Sequence, residues 1–168
     1  MLDSLITSKT RLRLLIKFFL NIANVGYLNS LANEFGESTN SVRKELNNLS
    51  SAGYLKKHNE NNKVIYKADV SHPLFQIIQK IVHKHVGIEE ILKTVSDRIG
   101  DVRKIMILGD YAKGIDSGLI EVLIVGESID KKYLDEISPK IELKIKRKVS
   151  FFVSNKSLKQ NSLIIFEA

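Results

Sequence analysis

The chain has 168 residues and 43% hydrophobic content, which is enough to bury one good core or two small ones. It contains no cysteine, so disulfides, thiolate zinc sites and cysteine nucleophiles are excluded, and its four histidines are too scattered to suggest a metal site. The formal net charge of +7 favours a polyanionic partner, and since no run reaches the ~18 apolar residues of a membrane span, nucleic acid is the better candidate. We expect a cytoplasmic protein, and we expect no cofactor.

An amphipathic helix is predicted near the start of the chain. Apolar residues recur at helical intervals from Thr10 to Asn24, and Asn24-Val25-Gly26 closes the helix. The apolar positions are Leu12, Leu15, Ile16, Phe19 and Ile22. Most of the polar positions fall on other faces, and these are Arg11, Arg13, Lys17 and Asn21. We expect this helix to pack beneath the elements that follow it.

Residues 28–66 begin with a short helix. Leu31 and Phe35 are four positions apart on one face of a helix from Ser30 to Phe35. Gly36 ends this helix, because glycine accepts the left-handed conformation that closes a helix. The next few residues then form a turn.

A second, longer helix is predicted from about Asn40 to Ser51, where Ser38 or Thr39 can cap the free N–H groups. Its apolar positions recur at helical spacing and are Val42, Leu46 and Leu49. The other face carries short hydrogen-bonding and cationic side chains, namely Ser41, Arg43, Lys44, Asn47 and Asn48. Such groups read base edges and hold phosphates in a major groove.

A two-stranded ribbon follows the second helix. Gly53 stops the helix, and the ranges Tyr54 to Lys57 and Lys63 to Lys67 read as strands. His58 to Asn62 is predicted as a loop that is too polar to pack. A ribbon of this kind can lie along the sugar–phosphate backbone of DNA.

The first seventy residues resemble the winged-helix domains of bacterial transcription regulators of the ArsR and MarR type, especially in SVRKELNNLSSAGYLKK followed by NKVIYKAD. The resemblance implies that Asn40 to Ser51 is a recognition helix and that His58 to Lys63 is the wing. The candidate DNA-binding residues are Ser38, Thr39, Asn40, Ser41, Arg43, Lys44, Asn47, His58, Asn61, Asn62 and Lys63. The alternatives are a small helical unit with a hairpin that binds no nucleic acid, or a module that binds a partner protein.

Residues 71–100 are predicted to form a helical connector. Pro73 disfavours a helix at His72 and fits the first turn of a helix from about Leu74 to His85. The apolar stripe of that helix consists of Leu74, Ile77, Ile78, Ile81 and Val82. The stripe packs on its own domain or pairs with the same helix of a second subunit, and both options remain open. After Gly87, a further amphipathic helix is expected from Ile88 to Ile99.

The periodicity changes in residues 101–168, where an α/β domain with a mixed sheet is predicted. Short β-branched runs indicate strands at Val102 to Leu108, Leu119 to Val125, Val149 to Val153 and Leu163 to Phe166. A helix from about Lys131 to Ile145 is expected to be interrupted or bent near Ser138-Pro139. The fold class is therefore α+β, with two distinct domains.

The stretch IMILGDYAKG, followed by LIEVLIVG, resembles the core of minimal nucleotidyltransferases. In that family a strand ends in Gly-Ser, and the next strand carries two aspartates that hold two magnesium ions, since positions i and i+2 of a strand face the same side. Here Asp110 stands in place of the serine, and the two aspartates become Leu119 and Glu121. On the strand that should supply a third acid, Ser150 is the only polar candidate.

The resemblance therefore implies a nucleotidyltransferase-like fold that has lost its chemistry. The residues of this degenerate nucleotide pocket are Gly109, Asp110, Lys113, Gly114, Asp116 and Glu121. The alternative is an active enzyme that modifies a protein, RNA or small molecule through a rearranged metal site of Asp110, Asp116 and Glu121. The basic run from Lys144 to Lys148 reads as a solvated helix end, or as a contact to DNA phosphates.

Together these features predict a DNA-binding transcriptional regulator. It would act as a homodimer on double-stranded DNA with a palindromic operator. The C-terminal domain would serve in dimerisation or in sensing a nucleotide or small-molecule effector. We expect no enzymatic activity.

Overall fold

The computed structural model describes residues 2–96, 98–157 and 161–168. The chain divides into two compact units, Met1–Val82 and His83–Ala168, so that residues 71–100 are shared between the two. The fold is α+β, as predicted, with a hairpin in the first unit and a four-stranded sheet in the second. Among the helices of the described residues, none is long and apolar enough to span a bilayer.

The first unit is mainly helical. After a short 3-10 helix at Leu2–Ser4, its elements are α1 (Lys9–Phe19), α2 (Leu28–Phe35), α3 (Thr39–Ser51), β1 (Leu55–Glu60) and β2 (Lys63–Ala68). Helix α4 (Phe75–Val86) follows, and the boundary between the units falls within it. Helix α1 packs on α3 and the hairpin follows α3, which agrees with the predicted order.

Helix α1 ends at Phe19 and is therefore shorter than the predicted helix to Asn24. The Asn24 amide nitrogen Nδ2 donates to the Lys17 carbonyl at 2.9 Å, and the Ala23 backbone N–H donates to Asn21 Oδ1 at 3.1 Å. These local bonds offer the backbone an alternative to the helical ladder. Ile22 consequently lies outside the helix and is 50% exposed, so its assignment to the apolar positions of this helix was wrong.

The turn between α2 and α3 matches the sequence closely. Gly36 closes α2 with a φ of +62°, in the left-handed region that glycine adopts readily. Ser38, and not Thr39, caps α3: its Oγ accepts from the Ser41 backbone N–H at 3.2 Å. Both helix ends are thus set by the residues at the turn.

The hairpin is longer than predicted, because His58 to Glu60 belong to β1 instead of a loop. The strands stay paired as far as Glu60 and Lys63, and only Asn61 and Asn62 form the turn. Both asparagines have positive φ, at 49° and 60°. Asparagine tolerates this conformation, and a two-residue turn of this kind matches the twist of the strands. The polar side chains of β1 are exposed to solvent, so their polarity does not prevent these residues from pairing as a strand.

The second unit contains a mixed sheet with helices packed on it. Its elements are α5 (Ile88–Ser96), β3 (Asp101–Leu108), α6 (Gly109–Ala112), β4 (Leu119–Glu127), α7 (Lys131–Ile145), β5 (Lys148–Ser154) and β6 (Leu163–Glu167). The strand order is β5-β4-β3-β6, in which β4 and β5 are parallel and the other neighbours are antiparallel. The four predicted strands and the mixed sheet are confirmed.

The core of the second unit lies between the central strands and the helices. Its fully buried residues include Ile105 and Ile107 of β3 and Val122 and Ile124 of β4. Helix α5 ends at Ser96, before the predicted end at Ile99, and residue 97 lies outside the described residues. Ile99 is nevertheless buried, which explains why the apolar pattern continued past the helix.

Helix α7 is one continuous helix from Lys131 to Ile145, with Pro139 in its interior. The prediction of an interruption at Ser138-Pro139 was wrong. Apolar residues on both sides of the proline, Leu134 and Ile141, are buried against the rest of the unit. This packing offsets the roughly 3 kcal/mol that an interior proline costs a helix.

We expect Pro139→Ala to raise the free energy of unfolding of the second unit by about 1 to 3 kcal/mol, because alanine restores an N–H donor and is the best helix former. Urea unfolding, monitored through the hydrogen exchange of the β3 and β4 amides, would measure the change. Lys140→Ala, at the exposed neighbouring position, is the control and should change stability little. Unchanged or lower stability in Pro139→Ala would contradict the expectation.

Candidate functional site

Helix α3 presents a polar face and buries an apolar one. Val42, Leu46 and Leu49 are buried, as predicted from their spacing. The side chains on the opposite face are exposed, and these are Ser41, Arg43, Lys44, Asn47 and Asn48. The exposed face therefore offers one hydroxyl, two amides and two cations to a partner, which is the mixture that hydrogen-bonds to bases and phosphates.

A buried carboxylate holds the buried side of α3 against the start of α1. Glu45 is buried, and its carboxylate accepts from Arg11 Nε at 2.8 Å and from Ser8 Oγ at 2.9 Å. Burial works to raise the pKa of Glu45, but the hydrogen bonds from Arg11 and Ser8 and the charge of Arg11 outweigh it, and the pKa lies below its ordinary value. The carboxylate thus stays charged and holds α3 against the start of α1.

A groove of about 450 Å³ runs between α2, α3 and the hairpin. Four of the predicted DNA-binding residues line it, namely Arg43, Asn47, Asn62 and Lys63. The fold thus brings together residues from the helix and from the hairpin tip that are up to 20 positions apart in sequence. The remaining lining residues are Tyr27, Leu28, Asn29, Val64 and Tyr66.

Sequence reasoning missed Tyr27 and Asn29. The predicted helix began at Ser30, so both residues lay before it, whereas α2 begins at Leu28. The signal that could have found them is Ser30 itself. Its Oγ accepts from the Tyr27 N–H at 3.3 Å and donates to the Tyr27 carbonyl at 2.9 Å, which is how a serine at the third position marks a helix start.

The other predicted DNA-binding residues are exposed but lie outside the groove. At the start of α3, Ser38 Oγ donates to Ser41 Oγ at 3.1 Å, and Arg43 Nη1 donates to Asn40 Oδ1 at 3.1 Å. The residues concerned are Ser38, Thr39, Asn40, Ser41 and Lys44 on α3, and His58 and Asn61 on the hairpin. They form exposed polar surface on the same two elements.

Two contacts hold the hairpin to the start of α2. Tyr66 and Gly26 exchange backbone hydrogen bonds, from the Tyr66 N–H at 2.8 Å and from the Gly26 N–H at 3.1 Å. Lys63 Nζ lies 4.3 Å from the centroid of the Tyr27 ring, which is a cation–π contact. The hairpin tip is thereby connected to the same segment that begins the groove.

A polar cluster follows the hairpin. Lys56 Nζ forms an ion pair with Asp69 Oδ1 at 2.9 Å. The Ser71 hydroxyl, and after it Lys56, lowers the pKa of Asp69 to about 2. Lys56 therefore has a charge partner within the chain, although its side chain is 55% exposed. Lys57, Lys63 and Lys67 are also exposed on the same hairpin.

Two carboxylates, Asp110 and Glu121, lie at the loop of the predicted nucleotide pocket in the second unit. Gly109 has a φ of +59°, and a Cβ atom there would overlap the Glu121 carboxylate, so this carboxylate lies directly against the loop. Asp110 follows in α6 and is exposed. A phosphate at this loop would meet two carboxylates. In the register of the sheet Glu121 pairs with Leu108 on one side and Ser150 on the other.

Asp116, the third acid of the alternative metal site, forms an ion pair with Arg147. Arg147 Nη2 donates to Asp116 Oδ2 at 2.6 Å and Nε donates to Asp116 Oδ1 at 2.9 Å. The two side chains are 12% and 27% exposed, for Arg147 and Asp116 respectively. The Tyr111 hydroxyl donates to Asp116 and accepts from the Gly118 N–H at 3.1 Å, and Arg147 Nη1 donates to the His85 carbonyl at 3.0 Å.

Charge is balanced within this network. Burial works to raise the pKa of Asp116, but the hydrogen bonds from Arg147 and Tyr111 and the charge of Arg147 lower it below its ordinary value. Burial, and then the Asp116 carboxylate, raises the pKa of Tyr111. Lys113 is exposed and Gly114 is buried with a φ of +75°, and neither has a hydrogen bond to Asp116.

No metal site is evident in residues 2–96, 98–157 and 161–168, where no three His, Asp or Glu side chains form a group that could hold an ion. The basic run from Lys144 to Lys148 is also more engaged than predicted for a solvated helix end. Three of its four cations pair with acids in the same unit, namely Lys144 with Glu90, Arg147 with Asp116 and Lys148 with Glu142. The run thus fastens α7 and β5 to their neighbours.

The chain matches no protein-family model, no curated protein and no solved structure. The geometry of the two sites is therefore the basis on which a function is assigned. In the first unit that geometry is an exposed polar groove, and in the second it is an acidic loop beside a network of internal ion pairs.

We expect Asp116→Asn to lower the free energy of unfolding of the second unit by about 2 to 3 kcal/mol at pH 7, because it leaves the Arg147 guanidinium without its charge partner. The folded-state pKa of Asp116 is depressed, so its stabilisation is present above its ordinary pKa of 3.8 and is lost as pH falls below that value. Hydrogen exchange of the β4 amides, measured at pH 7 and then at falling pH through this acid range, would test both points.

The matched control is Glu136→Gln, an exposed carboxylate on α7. It should leave both the stability at pH 7 and its acid dependence nearly unchanged. If Asp116→Asn behaved like Glu136→Gln, the network would not stabilise the unit.

Proposed function

We propose that this protein is a DNA-binding transcriptional regulator, in which the first unit is a winged helix-turn-helix and the second is a catalytically silent nucleotidyltransferase-like domain. The observation that carries the proposal is the groove that joins Arg43 and Asn47 of α3 to Asn62 and Lys63 of the hairpin. In this proposal α3 enters the major groove as the recognition helix. The hairpin is the wing and follows the backbone beside it.

The side chains of α3 suit this role. Arg43 and Lys44 supply contacts to phosphate or guanine, while Ser41 and Asn47 contact base edges. No carboxylate in the described part of the chain forms an ion pair with Arg43 or Lys44, so both cations are available to phosphates. Helix α1 differs, because Arg11, Arg13 and Lys17 each pair with a glutamate.

Helix α4 supports the proposal of a homodimer. Leu74, just before the helix, and Ile77 and Ile81 within it are 43%, 54% and 40% exposed. Their spacing of three and four residues places them on one stripe, while Phe75 and Val82 face the core of the first unit. Pairing this stripe with its copy about a two-fold axis would bury it. The two recognition helices would then bind half-sites of a palindrome ~34 Å apart.

The second unit is proposed to serve in dimerisation or in sensing a nucleotide or small molecule. Phosphoryl transfer by two metal ions needs clustered carboxylates. Asp116 is held by Arg147, and Glu121 lies against Gly109 with only Ser150 beside it on β5. These contacts favour the silent domain over the active nucleotidyltransferase.

We expect Arg43→Ala and Lys44→Ala each to weaken binding to a fluorescently labelled, random-sequence DNA duplex. Each should flatten the slope of log K against log salt by about 0.9, because one phosphate contact and its counterion release are lost. Fluorescence anisotropy over a salt series measures both quantities. Lys132→Ala, an exposed lysine of the second unit, is the control and should bind as the unaltered protein does. Normal binding by both α3 variants would show that the recognition face is assigned wrongly.

We expect Ile77→Lys to convert a dimer into a monomer, because a charge would be buried at the centre of the proposed interface. Sedimentation equilibrium would measure the mass of the protein in solution. Gln76→Lys introduces the same charge at the exposed neighbouring position outside the stripe and should leave the dimer intact. A monomeric unaltered protein, or a dimer that tolerates Ile77→Lys, would rule out this stripe as the interface.

A further inference from the structure

The groove beside α3 has walls of two kinds. Apolar surface comes from the Tyr27 ring, Leu28 and Val64. Hydrogen-bonding and cationic groups come from Asn29, Arg43, Asn47, Asn62 and Lys63, and Tyr66 completes the lining. A ligand that fills such a groove has an apolar ring and a negatively charged group close together. A sugar joined to a phosphate has this character, since phosphate binds cations and amides while the ring carbons pack on apolar surface.

The cation at the hairpin tip is held in position. A lysine on an exposed hairpin has many rotamers, and fixing it costs conformational entropy. Here Lys63 Nζ lies 4.3 Å from the centroid of the Tyr27 ring, so the contact restricts the side chain before any ligand arrives. Lys63 is therefore pre-organised at the edge of the groove.

Tyr27 is itself fixed by the backbone around it. The Ser30 hydroxyl bonds to both the N–H and the carbonyl of Tyr27, at 3.3 and 2.9 Å. Next to it, Gly26 pairs with Tyr66 of the hairpin through two backbone hydrogen bonds. The ring and the lysine thus belong to two segments whose separation is set by main-chain contacts.

We propose that this groove binds one sugar–phosphate unit of a DNA strand, with Tyr27 as the positioning residue that holds Lys63 for the phosphate and Asn29 as a further contact. This inference rests on the proposed function and adds a site to it. The phosphate binds to the cations Arg43 and Lys63 and to the side-chain amides that line the groove. The deoxyribose packs on the apolar wall formed by Leu28 and Val64.

The test compares Lys63→Met, Tyr27→Leu, Tyr27→Phe and the Tyr27→Leu/Lys63→Met pair in the full chain, by anisotropy with the random-sequence duplex. Lys63→Met should lower the salt slope by about 0.9, because one cation is removed. Tyr27→Leu should weaken binding about two- to fivefold, the range of an exposed cation–π contact, whereas Tyr27→Phe keeps the ring and should retain binding.

The double variant separates positioning from general stability. If Tyr27 acts through Lys63, adding Tyr27→Leu to Lys63→Met causes no further loss. Additive losses, or equal losses in Tyr27→Leu and Tyr27→Phe, would overturn the positioning role. Lys63 is exposed, so Lys63→Met should melt at the temperature of the unaltered protein and remains informative even if a Tyr27 variant is destabilised.

The Arg43→Ala variant separates a failure of the groove inference from a failure of the proposed function. If the duplex binds and Arg43→Ala weakens it while the Tyr27, Lys63 and Asn29→Ala variants do not, the groove is not a contact site and the proposed function stands. If the unaltered protein binds no duplex, the proposed function fails and the groove inference fails with it.

A free nucleotide contains the same sugar–phosphate unit as a strand of DNA. A separate measurement is therefore needed to show which of the two the groove binds. Amide spectra of the ¹⁵N-labelled protein report on Asn29 and Lys63 directly. We expect the duplex to shift these resonances and millimolar deoxyadenosine monophosphate or inorganic phosphate to leave them in place. Saturable shifts with the mononucleotide and none with the duplex would overturn the assignment to DNA.

Discussion

Three ion pairs join α1 to α2, to α3 and to the turn between those two helices, and they hold the first unit in its arrangement. The pairs are Arg11 with Glu45, Arg13 with Glu37, and Lys17 with Glu34. The pair of Lys17 is largely removed from water, so removing one partner would leave a costly unpaired charge. The exposed face of α3 and the groove beside it keep their direction because the buried side of the helix is fixed in this way.

The regular parts of this fold could be predicted from local patterns. Apolar residues at spacings of three and four identify α3. Gly36 marks the end of α2 and Ser38 marks the start of α3, because capping chemistry is local. The errors in the predicted helices arose where a tertiary contact, or a less common local hydrogen bond, outweighed the local apolar pattern. The Asn24 amide ended α1 early, and tertiary packing carried α7 through Pro139.

The candidate site shows the same division. The exposed face of α3 follows from the periodicity that buries its other face, and so Arg43 and Asn47 were found. Ser30 could have placed the start of α2 next to Tyr27. It could not have placed Tyr27 and Asn29 in a groove, because the groove exists only once the hairpin bonds to Gly26. The partner of Asp116 was equally hidden, since Arg147 lies 31 positions away in a run that resembled solvated surface.

The strand order of the second unit has a consequence for how the protein folds during synthesis. Strand β6 is the last strand of this sheet in chain order, yet it pairs with β3, the first strand of the sheet. Until Leu163–Glu167 emerges, β3 has an unpaired edge that carries Ile105 and Met106. An open apolar edge is a template for pairing with other chains. The first unit has its short-range contacts complete long before this stage, so aggregation of the nascent protein would begin at the β3 edge.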